Sequence, residues 1–158
     1  MSMDARFEDG GETPLNLGAL DSDDLQVLSA LVQDAVFPVT EMKWLATERR
    51  FALLLNRFRW EDVQAAEKRG RAVERVQSLL VVDNVERVAS QGVDRSDKDM
   101  ILSVLSVDFD GETDSAGQVT LTLAGDGAIR LSVEALEVTL KDVTRPYIAP
   151  SKHIPTHD

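Results

Sequence analysis

The sequence predicts an α+β domain: a mostly antiparallel sheet of about eight strands, bent or closed part-way into a barrel, with one N-terminal amphipathic helix packed on it. Three observations lead there. Apolar residues recur at helical spacing clearly in one stretch, 22–36, and at a period of two almost everywhere else. The links between the period-two stretches are short, which enforces antiparallel pairing because parallel strands need long crossovers. A chain of 158 residues buries roughly two-thirds of its unfolded surface and needs no covalent staple.

The helix is marked by Leu25, Leu28, Leu31, Val32, Ala35 and Val36. Asp21 or Ser22 caps its start, Asp23 and Asp24 suit the positive end of its dipole, and Pro38 stops it. In 39–46, Met42 and Trp44 alternate with Glu41 and Lys43, and Thr47-Glu48-Arg49 turns the chain into a second strand over 50–59. That strand carries Phe51, Leu53, Leu55 and Arg57 on one face and Ala52, Leu54, Asn56 and Phe58 on the other. Two apolar faces mark a central strand, and Trp44 is expected to be a buried anchor of this first hairpin.

Residues 60–74 begin as a short helix and break at Gly70. Strands follow over 75–82 and 85–91, separated by Asp83-Asn84, then a loop to Lys98 and a long strand over 99–109. The expected inward residues of this strand are Ile101, Leu105, Val107 and Phe109, interrupted by Ser103. After an acidic loop, Val119, Leu121 and Leu123 pair with Ile129, Leu131 and Val133 around Gly125-Asp126-Gly127, a hairpin turn. Residues 134–143 fit either a helix or a strand, and the β-branched Val138 and Thr139 favour the strand. The expected organisation is an acidic tail over 1–14, one domain over 15–148, and an extended tail over 149–158, with Tyr147 and Ile148 pinned to the body.

Composition excludes several chemistries. With no cysteine there is no disulfide, no thiolate metal site and no thiol nucleophile. The two histidines, His153 and His157, lie in the tail with Pro155 between them, so the expected core offers no imidazole base or ligand. A net charge of −11 argues against nucleic acid and anionic membrane as partners. The start, MSMDARFEDGGETP, lacks the apolar run of a secretory leader, and the longest apolar runs are far too short to span a bilayer. A cytoplasmic location is the expectation. The carboxylates Asp108, Asp110, Glu112 and Asp114 alternate as calcium ligands do, but the twelfth residue from Asp108 is Val119, so the EF-hand pattern fails and a solvated loop is expected. No motif implies a cofactor, a metal site or a catalytic residue.

The segments 31–36 (LVQDAV), 50–61 (RFALLLNRFRWE) and 127–138 (GAIRLSVEALEV) resemble an uncharacterised bacterial family, domain of unknown function number 2948, over roughly residues 15–150. The resemblance implies a small cytoplasmic protein and brings no catalytic residues with it.

Charge distribution is the strongest hint of function. From Lys43 to Arg75 there are nine Lys+Arg and five acids, a net +4, which leaves −15 for the rest of the chain. Arg57 and Arg59 share a strand face, and arginine grips carboxylates or phosphates in bidentate fashion. With Arg49 and Arg50 they are the candidate ligand- or partner-binding residues. Arg57 and Arg59 are expected to turn away from the core towards a surface or cleft with an anionic counterpart. Internal pairing with surplus carboxylates is the favoured source of that counterpart, an external ligand or partner is the alternative, and contact with the acidic surface of a second copy is a further one. The leading functional expectation is a non-catalytic binding or scaffold protein acting through a protein partner. The alternative is an enzyme or small-ligand binder that holds an anion with Arg57 and Arg59.

Overall fold

The computed structural model describes residues 14–111 and 116–148. In chain order the strands are β1 (Asn16–Ala19), β2 (Val36–Pro38), β3 (Met42–Leu45), β4 (Arg50–Phe58), β5 (Glu74–Val82), β6 (Val85–Gln91), β7 (Ile101–Gly111), β8 (Gly117–Leu123), β9 (Gly127–Val133), β10 (Val138–Asp142) and β11 (Tyr147–Ile148). Helix α1 (Ser22–Leu31) follows β1, and a short α2 (Val63–Lys68) lies between β4 and β5.

All pairings are antiparallel. The sheet runs β1-β10-β5-β4-β2-β7-β8-β9-β6, with β3 beside β4 and β11 beside β5. It is open, ending in β1 and β6. Its eleven described strands exceed the expected eight, because β1, β2 and β11 are too short to show a period. The three-residue β2 is a narrow seam: it meets β4 at the single pair Val36↔Asn56 and β7 at three pairs. On either side of the seam, Leu53, Leu55, Leu80 and Val82 join Leu121, Ile129 and Leu131 in one buried cluster with Leu25 and Leu28 of α1. The sheet therefore bends round a single core. At the far corner, the left-handed Asn84 (φ 61°) sends the chain out of β5 and into β6, which pairs with β9.

Helix α1 is shorter than expected. Asp21 caps it by accepting the Asp24 N–H at 2.8 Å, but the helix closes at Val32, and Asp34 at φ 65° turns the chain into β2. Val32 and Ala35 are still fully buried. The apolar spacing thus reported burial correctly beyond the point where the backbone leaves the helix. The short α2 is the short helix expected at the start of 60–74, and it ends before Gly70. Residues 138–142 are a strand, as the β-branched residues favoured.

Strand β7 corrects the expected face. Leu102, Val104 and Val107 point inwards, whereas Ile101 is 60% exposed and Leu105 41%. The register with β8 shifts between Val104 and Ser106, so Leu105 is the extra residue of a bulge that reverses the alternation. Trp44 faces inwards opposite Phe51 but is half-buried, because β3 pairs with β4 alone among the described strands and its other edge is left open.

Gly111 and Gly117 are paired where β7 meets β8, and the Phe109 ring lies over both. A Cβ at Gly117 would sit 2.6 Å from the Asp110 carbonyl and 2.7 Å from that ring. Gly117→Ala is therefore expected to destabilise the fold by about 1–3 kcal/mol, measured by urea unfolding. An unchanged midpoint would mean that the ring yields freely.

Candidate functional site

Arg57 occupies the inward series of β4 after Phe51, Leu53 and Leu55, and it stays inside. The strand registers explain what it meets. Leu53, Leu80 and Leu140 form an apolar row across β4, β5 and β10, and the next row is Leu55, Ser78 and Asp142. A serine and an aspartate thus stand where the neighbouring row has leucines, beside Arg57, whose partner on β5 is Val76.

The Arg57 side chain is fully buried. Its Nε donates to Ser78 Oγ (3.0 Å) and Asp142 Oδ1 (3.3 Å). Nη1 donates to the Phe58 carbonyl (3.1 Å) and Glu61 Oε1 (2.9 Å). Nη2 donates to Glu61 Oε2 (2.9 Å) and to Asp142 Oδ1 (3.0 Å). All its N–H groups are engaged. Asp142 in turn accepts the Ser78 hydroxyl (2.6 Å) and the Leu15 N–H (2.8 Å), tying the entry to β1 into the same group. Burial pulls the Arg57 pKa down, but the hydrogen bonds and charges of Glu61 and Asp142 outweigh it and hold it above the usual arginine value.

Arg59, 1% exposed, forms a second cluster just past the end of β4. Its Nη1 donates to Glu74 Oε1 (2.6 Å) and Asp62 Oδ2 (3.3 Å), and Asp62 also receives Arg71 Nη2 at 2.7 Å. Arg75 has no carboxylate partner among the described residues. It stacks over the Phe58 ring with its guanidinium carbon 4.1 Å from the centroid, and burial lowers its pKa.

Arg49 and Arg50 lie at the other end of β4, about 23 Å from Arg57 along an extended strand. Both are exposed. Arg49 is left-handed (φ 54°) and pairs with Glu134, and Arg50 Nε reaches Asp83 Oδ1 at 2.8 Å. The four arginines therefore do not form one site. The expectation that Arg57 and Arg59 turn outwards is corrected. The face does not pass to solvent at residue 56, because β10 and the turn after β4 carry Asp142, Glu61 and Asp62 over it. Internal pairing is the arrangement found.

Asp142, Ser78, Glu61, Asp62 and Glu74 had not been singled out from the sequence. One signal was available for Asp142: it continues the inward series Val138, Leu140, and a carboxylate at a core position calls for a cation. Among the described residues, no group of three or more His, Asp and Glu side chains is placed to hold a metal, and no helix is long and apolar enough to cross a membrane. Glu112, Asp114, His153 and His157 lie outside the described residues, as do the proposed tails except for Pro14.

An open, bent antiparallel sheet with interior arginine–carboxylate clusters defines the domain. The chain belongs to the family described as protein of unknown function (DUF2948), which matches residues 15–157. No curated protein and no solved structure matches it.

These placements separate the arginines by experiment. Arg59→Met takes the buried cation from Asp62 and Glu74 but leaves them Arg71, and is expected to cost about 1.5–3 kcal/mol, with little relief from salt. Arg49→Ala and Arg50→Ala should leave the urea midpoint nearly unchanged, and any small loss should vanish in high salt. The reverse order of effects would contradict the assignment of interior and surface roles.

Proposed function

We propose that this protein is a non-catalytic binding protein that acts through a protein partner seated on the outer face of its sheet. The carrying observation is the composition of that face. Opposite the core, the registers set Leu54 beside Leu79 and Ala52 beside Val81 across β4 and β5. Helix α2 closes one end of the face, where Phe58 packs with Ala66 and Val73. Beyond it, Leu54, Leu79, Val81, Val36 and Pro38 remain partly exposed, and Ile101 and Leu105 extend the apolar surface onto β7. A shallow cleft of about 280 Å³ runs between Leu54, Val36, Pro38 and Ile101, with Glu41, Asn56 and Gln77 also in its lining. An exposed apolar strip of this kind, broken by Asn56, Gln77 and Ser103, supports the reading of an interaction surface.

Charge selects the partner. Lys141 is paired with Leu79 on one side of the strip, and Lys43 with Ala52 on the other. Neither lysine has an ion-pair partner among the described residues, although the chain as a whole carries −11. The fitting partner presents an apolar ridge between carboxylates. The alternative in which Arg57 and Arg59 grip an anionic substrate has less to stand on, since the donors of Arg57 are all used internally.

The test maps the contact. A photo-crosslinking residue is placed at Leu54 and, separately, at half-buried Arg130 on β9, and crosslinks are formed in native extract. The reading predicts one adduct from position 54, absent from position 130 and lost in Lys43→Glu/Lys141→Glu with melting unchanged. An adduct with a second copy of this chain, or an adduct indifferent to the charge reversal, would overturn it.

A further inference from the structure

The sheet stays open, and the gap it leaves is itself shaped. On one side stand β3 and β4, with Met42, Trp44 and Phe51. On the other stand β6 and β9, with Val88, Ser90 and Ile129. Together with Arg95 these residues line a cleft of about 140 Å³. Phe51 and Ile129 are buried and form the floor. Met42, Trp44 and Val88 are half-buried and form the walls, while Ser90 and Arg95 are exposed at the rim. Trp44 is half-buried because it walls this cleft.

The size is informative. An apolar cavity of roughly 150 Å³ accepts a benzene ring, so this one suits a single ring and little more. The rim adds polarity of one sign. Arg95 makes no ion pair among the described residues. It sits between acids, but the loop that carries it uses them locally. Asp94 Oδ1 accepts the Ser96 N–H (3.0 Å) and hydroxyl (2.6 Å), and Asp97 Oδ1 accepts the Asp99 N–H (3.2 Å). The Asp94 N–H points to the Met100 sulfur at 3.5 Å, and the Met100 N–H to the Asp97 carbonyl at 3.0 Å. The loop is thus closed on itself, with Asp94 and Asp97 bound to its own backbone. Arg95 is its residue that reaches the cleft.

We propose that this cleft binds a small aromatic carboxylate. The ring enters between Trp44, Met42 and Val88 over Phe51, and the carboxylate stays at the rim, gripped by the Arg95 guanidinium with the Ser90 hydroxyl as a further donor. Burial of the ring supplies affinity, and Arg95 supplies the preference for an anion in a protein whose overall charge repels one. The inference is independent of the partner surface, which lies on the opposite face of the sheet.

The probes are phenylacetate and its neutral isostere phenylacetamide, titrated into the isotopically labelled protein at low salt. Phenylacetate should shift the Trp44 indole N–H and the Ser90 and Arg95 amides saturably. The Trp60 indole, which donates to the Gln33 carbonyl elsewhere at 2.9 Å, should stay in place. The acid should bind about tenfold more tightly than the amide, the value of one charge-assisted contact. Arg95→Ala, a change at an exposed loop position, should abolish that preference and leave weak binding of both. No saturable shift at the cleft with about 10 mM phenylacetate, equal affinity for acid and amide, or a preference that survives in Arg95→Ala would each overturn the proposal.

Discussion

The structure turns on a cation placed inside it. Arg57 follows three apolar residues on the inward face of the strand that β5 and β3 flank, so once β4 pairs, its guanidinium is committed to the interior. A buried charge of this kind costs several kcal/mol unless it is paired and its hydrogen bonds are complete. The fold meets that condition by bringing together residues far apart in sequence. Glu61 comes from the turn just after β4, Ser78 from β5 and Asp142 from β10. Through Asp142 the same group holds Leu15 at the entry to β1. One half of the sheet, from β1 to β4, is thereby locked in a single register, because a slip of one residue would turn Asp142 outwards and leave Arg57 with Glu61 as its one carboxylate.

The other half, β7 to β6, is held by apolar packing and by the narrow seam at β2. This asymmetry decides which surfaces stay uncommitted. The polar row spends its charge on itself, and so does the cluster around Arg59. What remains outside is an apolar strip between two lysines on the outer face and a ring-sized cleft where the sheet fails to close. Both are products of openness: a closed barrel would have covered Trp44, and a helix across β4 and β5 would have covered Leu54 and Leu79.

Much of this was legible in the residues. The central position of β4 follows from its two apolar faces, the β8–β9 hairpin from strict alternation around Gly125-Asp126-Gly127, and the helix start from the pair Asp21-Ser22. Where the reading failed, a local backbone event intervened. Asp34 in a left-handed conformation ends the helix although Val32 and Ala35 keep helical spacing. A bulge at Leu105 breaks the alternation of β7, and no composition signal announces it. The arginines were misplaced for a different reason. Alternation placed Arg57 on the core face, but the general habit of arginine argued for solvent. The interior partners that decide the matter lie up to 85 positions away. Only the registers of β5 and β10 bring them beside it.

The central claim is that the guanidinium of Arg57 and the carboxylate of Asp142 are interior groups that depend on each other. A double-mutant cycle with Arg57→Met and Asp142→Leu measures that dependence by urea unfolding. Arg57→Met is expected to cost about 3–5 kcal/mol, because it leaves Asp142 buried without its cation, and Asp142→Leu less, because Glu61 still pairs Arg57. The double variant is expected to regain much of that loss, with a coupling of at least about 2 kcal/mol. Two small single effects that simply add would show that each group is satisfied by solvent, and would contradict the account.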